Sequence, residues 1–241
     1  MNKSYCGAAI LDADGVALDT AAIHEEIGRQ CAVEFGIKDF DIHSQDIRKI
    51  FLRLKYPPEA YQRYLEIFSS REKERGVRVF PFVNWVLRAL RRRGLMTGIF
   101  SNRKMRAHNH EMFFNSGLDY GLLDFFMMPS PSDPESEVCP KSLHPIYIAT
   151  NFSKPCGFAA FPLYELIQEI PGAPQSVCYV GDNAIDHDFA KHSNFSFKGV
   201  LSGVIRSSDE WLKLGVKADA IMPDIRNLLD PLPLPPLAGR P

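Results

Sequence analysis

Two carboxylates two residues apart, Asp12 and Asp14 in Asp12-Ala13-Asp14-Gly15, directly follow the short apolar run Gly7-Ala8-Ala9-Ile10-Leu11. An acid buried at the end of an apolar strand is costly unless a cation or hydrogen-bond donors compensate it. Asp-x-Asp-Gly offers a hard divalent cation one carboxylate and a backbone carbonyl, and leaves the second carboxylate free. The same four residues also make a good turn. A second acidic cluster lies in Gly181-Asp182-Asn183-Ala184-Ile185-Asp186. With a helix starting after Gly181, Asp182 and Asp186 stand one turn apart on one face. Acids that merely balance a helix macrodipole have the same pattern. Ser101-Asn102 adds a hydroxyl and an amide that equally suit a helix cap, and Lys154-Pro155 adds an ammonium that equally suits a solvated loop.

Gly7–Leu11, Met96–Phe100 and Ser176–Val180 are short, unalternating apolar runs. Such runs fit strands buried on both faces of a parallel sheet. Helical patterns lie between them. Val83, Val86, Leu87 and Leu90 share one face of a helix that Gly94 ends, and Leu163, Leu166, Ile167 and Ile170 recur helically over Phe161 to Ile170. This alternation predicts an α/β, doubly wound parallel sheet. In such sheets ligands bind beyond the carboxyl ends of the strands, near the point where strand order reverses. All three runs end there in polar or acidic residues.

The insertion from Leu18 to Arg78 exceeds a single crossover helix. It reads as helices, one over Ala21 to Phe35 behind Thr20 and another over Glu59 to Glu74 opened by Pro57-Pro58. A small all-helical cap domain inserted after the first strand follows, with expected boundaries of 1–17 and 79–229 for the core, 18–78 for the cap and 230–241 for a proline-rich tail. Met127 to Ser153, with five prolines, is left as an unassigned connection.

At 241 residues, 45% hydrophobic and 24% charged, the chain can bury a full core. A net charge of −1 supplies no global field toward nucleic acid or an anionic membrane, so an anionic ligand must be captured by local groups. Five scattered cysteines without a CxxC spacing argue against a disulfide framework or zinc site. No signal-type or membrane-spanning stretch stands out. The expectation is a soluble cytoplasmic protein, monomer or homodimer, with a small-molecule partner and neither nucleic acid nor membrane.

In order and placement, Asp-x-Asp-Gly, Ser-Asn, Lys-Pro and Gly-Asp-x-x-x-Asp resemble the four motifs of the haloacid dehalogenase superfamily, with a Rossmann-like core. The helical insertion resembles the cap of its phosphoglycolate-phosphatase-like and β-phosphoglucomutase-like branch. The resemblance implies a Mg²⁺-dependent phosphatase acting on a small phosphorylated metabolite through an aspartyl phosphate. It implies that Asp12 attacks phosphorus, Asp14 transfers protons, Ser101 bonds a phosphoryl oxygen and Lys154 offsets negative charge. Asp12, Asp14 (through its carbonyl) and Asp182 would hold the metal, and Asp186 would orient the lysine or the metal shell. Asn102, Arg103, Arg48 and Lys55 are candidate substrate contacts, although surface helix charge also explains the cap pair. Lys141 competes with Lys154 as motif lysine; the gap from Lys154 to Asp182 leaves room for one helix and one strand. Gly199 to Ile221 resembles the last strand and a closing hairpin-like element, while His192-Ser193-Asn194 lacks the glycine usual at that helix exit. A sugar phosphomutase shares every motif, and a catalytically idle binding or scaffold relative is the alternative from another class. His108-Asn109-His110 lacks metal partners for a nuclease, and Arg91-Arg92-Arg93 reads as a solvated helix end.

Overall fold

The computed structural model describes residues 6–36, 58–105, 107–130 and 146–230. Arg48, Lys55, Lys141 and the proline-rich tail after residue 230, all singled out from the sequence, lie outside the described residues. Seven strands form one parallel sheet: β1 (Gly7–Asp12), β2 (Leu95–Phe100), β3 (Phe125–Pro129), β4 (Ile146–Thr150), β5 (Val177–Gly181), β6 (Ser196–Val200) and β7 (Ile221–Met222). Their spatial order is β4-β3-β2-β1-β5-β6-β7. The chain winds outward from β1 to β4, then returns to lay β5 against the other side of β1. The order therefore reverses between β1 and β5, the two strands that deliver the acidic clusters.

Period-two alternation explains how one strand serves two cores. In β1, Ala9 and Leu11 join the face packed by α3 (Val83–Arg92), whereas Ala8 and Ile10 join the opposite face with α5 (Phe161–Ile167) and α6 (Ala184–His192). All six β1 residues are buried. In α3 the buried residues are Val83, Val86, Leu87 and Leu90, the stripe read from spacing. Leu87→Ala would leave a cavity in that face and cost about 2–5 kcal/mol.

The inserted helices are α1 (Ala21–Glu34) and α2 (Pro58–Arg75). Ile23 and Ile27 of α1 and Ala60, Tyr64 and Ile67 of α2 belong to the same apolar cluster as Leu11 and Val16 of the core, so the cap is seated on the β1 end. The remaining helices are α4 (Ala107–Asn115) and α7 (Ser208–Lys213). None of the described helices is long and apolar enough to cross a membrane.

Three sequence expectations change. The unassigned proline-rich segment contributes the end of β3 and all of β4, a short, partly exposed edge strand that directly follows the run of prolines. The closing element is not a hairpin: β7 runs parallel to β6, and α7 makes the crossover. The α5 helix ends at Ile167, although Ile170 stays buried beyond it. At the exit of α6, Asn194 adopts φ 55° and does the work of the missing glycine, because asparagine tolerates the left-handed region better than most residues.

Candidate active site

Asp12 ends β1, Ser101 follows β2, and Asp182 follows β5, so three neighbouring strands bring their carboxyl ends to one place. After Asp12 the chain turns sharply. The Gly15 N–H donates to the Leu18 carbonyl (2.9 Å) and the Leu18 N–H to that of Ala13 (2.7 Å). Gly15 has φ 75°, which favours glycine, and a side chain there or on Gly203 would collide with the Asp182 carboxyl.

Asp182 accepts from the Val204 N–H (2.8 Å) and the Asn183 side-chain amide (2.9 Å). Asn183 caps α6, its Oδ1 accepting from the N–H groups of Ile185 (2.8 Å) and Asp186 (3.2 Å). That cap fixes the first turn, so Asp186 folds back and accepts from the Asp182 N–H at 3.1 Å.

Lys154 arrives from the loop after β4. Its backbone is clamped by Asn102, whose Oδ1 accepts from the Lys154 N–H (2.8 Å) and whose amide donates to the Lys154 carbonyl (3.3 Å). The ammonium donates to Asp12 (2.5 Å), Asp186 (2.6 Å) and the Tyr179 hydroxyl (2.8 Å). All three protons therefore have partners. The lysine is almost fully buried, and burial would lower its pKa, but Asp12 and Asp186 outweigh that and hold it charged. One oxygen each of Asp12, Asp182 and Asp186 lies within 4.8 Å of the others. With Lys154 the cluster carries −2 when all are ionised. Burial, then the charge of Asp186, pushes Asp12 up to about 8, with Lys154 offsetting part of the rise. Burial and the neighbouring carboxylates also push Asp182 well up. Buried, crowded, oxygen-only donors with too few protein cations form a set that a hard divalent ion fits.

Asp14 faces a different neighbour. Arg103 meets it with a fork, Nε to Oδ2 at 2.9 Å and Nη2 to Oδ1 at 2.7 Å. Burial would raise Asp14, but the guanidinium outweighs it and holds the carboxyl at about 2. The same guanidinium reaches Glu72 of α2. Beside them His24 stacks on Phe68 (4.2 Å) and its Nδ1 lies 2.7 Å from the Tyr64 hydroxyl. Burial, with Arg103 adding to it and Asp14 opposing, lowers His24 to about 4. A cavity of about 190 Å³ opens between these groups, bordered by Asp12, Asp14, His24, Lys154 and Asp182.

Asp12, Asp14, Lys154, Asp182 and Asp186 thus converge, and Ser101 lies fully buried at the end of β2 with its hydroxyl accepting the Arg103 N–H (3.1 Å). Two expected substrate contacts are differently engaged. Asn102 holds the Lys154 backbone, and Arg103 holds two carboxylates. Tyr179, Glu72 and His24 were not singled out from the sequence. Tyr179 carried a signal, since a tyrosine inside an otherwise apolar buried strand needs a partner for its hydroxyl. Glu72 carried one too, because it continues the four-residue stripe Ala60, Tyr64, Phe68 on α2.

No family profile matches the sequence, and no curated protein does. Solved structures do. A haloacid dehalogenase-like family hydrolase of Streptococcus pneumoniae aligns over 92% of this chain and 96% of its own, with 16% identity and a TM-score of 0.64. A predicted phosphatase of Clostridium acetobutylicum aligns over 93% and 97%, with 16% identity and a TM-score of 0.65. A predicted phosphoglycolate phosphatase of Haemophilus somnus aligns over 95% and 98%, with 15% identity and a TM-score of 0.58. Core and inserted helices together, this chain has the fold of the haloacid dehalogenase-like hydrolases.

Proposed function

We propose that this chain is a Mg²⁺-dependent phosphatase of the haloacid dehalogenase type, cleaving a small phosphate monoester through an aspartyl phosphate. The observation that carries the reading is Lys154, buried between Asp12 and Asp186 while Asp182 closes the carboxylate cluster without a cation of its own. A structural ion pair has no need of a third buried acid. An anionic nucleophile attacking an anionic phosphoryl group needs positive charge on both sides.

Asp12 is the nucleophile: its carboxylate oxygen bonds phosphorus as the bond from phosphorus to the alcohol oxygen breaks. Asp14 enters this step protonated, against the pull of Arg103 toward its ionised form, and gives its proton to the departing oxygen. Water then attacks the aspartyl phosphate, Asp14 takes a proton from it, and the acyl-phosphate bond breaks to return Asp12 and release inorganic phosphate. Lys154 keeps the Asp12 carboxylate oriented and offsets charge, Asn102 holds Lys154 in reach, and Ser101 serves the phosphoryl oxygens. Asp12 and Asp182, with Asp186 behind them, would hold Mg²⁺, which when bound supplies further neutralisation of the phosphoryl charge. The small cavity favours a small leaving group. The naming of several similar structures as phosphoglycolate phosphatases puts short phosphorylated acids first in a substrate panel.

The test is phosphate release from an aryl phosphate, followed by a panel of phosphorylated metabolites. Turnover that needs Mg²⁺ and disappears in Asp12→Asn supports the reading. Full turnover in that variant, or in EDTA, refutes it.

A further inference from the structure

Arg103 belongs to no motif in the sequence, yet it is the most heavily engaged cation at the cap–core junction. Four N–H bonds leave its guanidinium. Two form the fork on Asp14, and two reach Glu72, from Nη1 to Oε2 at 2.9 Å and from Nη2 to Oε1 at 2.5 Å. The side chain of Arg103 is 11% exposed and that of Glu72 is 9% exposed. This pairing differs in kind from a solvated surface ion pair, which contributes little. The guanidinium also sits over the Phe68 ring at 5.3 Å. Phe68 and Glu72 are one turn apart on α2, and Phe68 stacks in turn on His24 of α1. One core arginine therefore joins α2, which in turn stacks on α1, to the carboxylate proposed to move protons.

We propose that Arg103 is a positioning residue for Asp14, and that Glu72 makes its grip depend on the cap being seated. With the cap helix in place, Glu72 orients the guanidinium, and the guanidinium aims Asp14. When the cap lifts, Glu72 leaves with α2 and Arg103 loses half of its bonds, so Asp14 loses its fixed aim. Proton transfer is then coupled to closure over the substrate. Planarity matters here: a lysine in place of Arg103 keeps the charge but cannot form forks on two carboxylates at once. The catalytic half of this inference rests on the phosphatase reading; the mechanical half does not.

Residues acting through one another are non-additive, whereas independent structural roles add. The experiment measures kcat and KM on an aryl phosphate with Mg²⁺ for Arg103→Lys and Glu72→Gln, each in the wild-type and the Asp14→Asn background. Arg103→Lys is expected to lower kcat about tenfold in the wild-type background, with little change in KM, and less than about twofold where Asp14 is already asparagine. Glu72→Gln is expected to lower kcat about threefold, and to add nothing to Arg103→Lys. Equal losses in both backgrounds would overturn the positioning role. Hydrogen exchange provides a readout independent of turnover. Both substitutions should speed exchange across α2, and the double variant no further. Unchanged exchange in α2 would overturn the cap coupling. A wild-type protein without turnover would refute the phosphatase reading, while exchange would still decide the cap coupling.

Discussion

Two charged clusters lie side by side at the end of β1, and they are built on opposite principles. Around Asp14 and Glu72, one guanidinium satisfies two carboxylates with four hydrogen bonds, and the group closes on itself. Around Asp12, one ammonium serves two carboxylates of three, and Asp182 is left with neutral donors from Val204 and Asn183. Arg103 holds Asp14 at about 2, although burial outweighs the same guanidinium at Glu72 and raises it; Asp12 is pushed up to about 8. The first cluster is complete without a ligand. The second is arranged for one, since buried carboxylates lacking cations persist where function requires them.

The comparison breaks hardest at Asp12. Asp12→Asn removes the nucleophile and is expected to lower phosphate release by about 10⁴ or more, measured on an aryl phosphate at saturating Mg²⁺. Lys154→Met comes next. It should cost about 10²–10³ in kcat and about 3–5 kcal/mol of stability in urea unfolding, because Asp12 and Asp186 lose their buried partner. Mg²⁺ should then distinguish the clusters by stability alone: at a hundred times its Kd it adds about 2.7 kcal/mol, seen as a higher Tm. That gain should vanish in Asp182→Asn and survive in Glu72→Gln.

The smallest expected effect belongs to His24. Its pKa is lowered to about 4 in the folded protein, chiefly by burial, so the unfolded chain binds its proton first as pH falls. Its contribution is therefore intact above about pH 6.5 and is lost between there and about pH 4, by up to roughly 1.4 kcal/mol per pH unit. Urea unfolding across that range should show a shallower loss in His24→Gln. An unchanged slope would mean that His24 titrates alike in the folded and unfolded states.

Much of the central architecture could be read from the sequence because local and global signals agreed there. The β1, β2 and β5 strands are apolar on both faces, and each ends in a polar residue, so periodicity and topology pointed to the same edge. Distance along the chain favoured Lys154 over Lys141; among the described residues Lys154 bonds Asp12, and Lys141 lies outside them. What escaped depended on contacts between distant segments. The β4 strand, Ile146–Thr150, is apolar but short and partly exposed, and it directly follows the prolines that mark the segment as a connection. Arg103 was expected as a substrate contact, and the sequence did not pair it with Glu72, which sits in a charged helix where only the inward stripe marks it out. Tyr179 was hidden in an apolar strand, and its hydroxyl acquires meaning only once Lys154 is placed beside it.

The central claim is that the Asp12 cluster is arranged around a divalent cation. Calorimetric titration of Mg²⁺ into the purified protein, in parallel with Asp182→Asn, tests it most directly. The account predicts one binding event per chain in the wild type and its loss in the variant. Absence of Mg²⁺ binding in the wild type, or equal binding in both proteins, would contradict it.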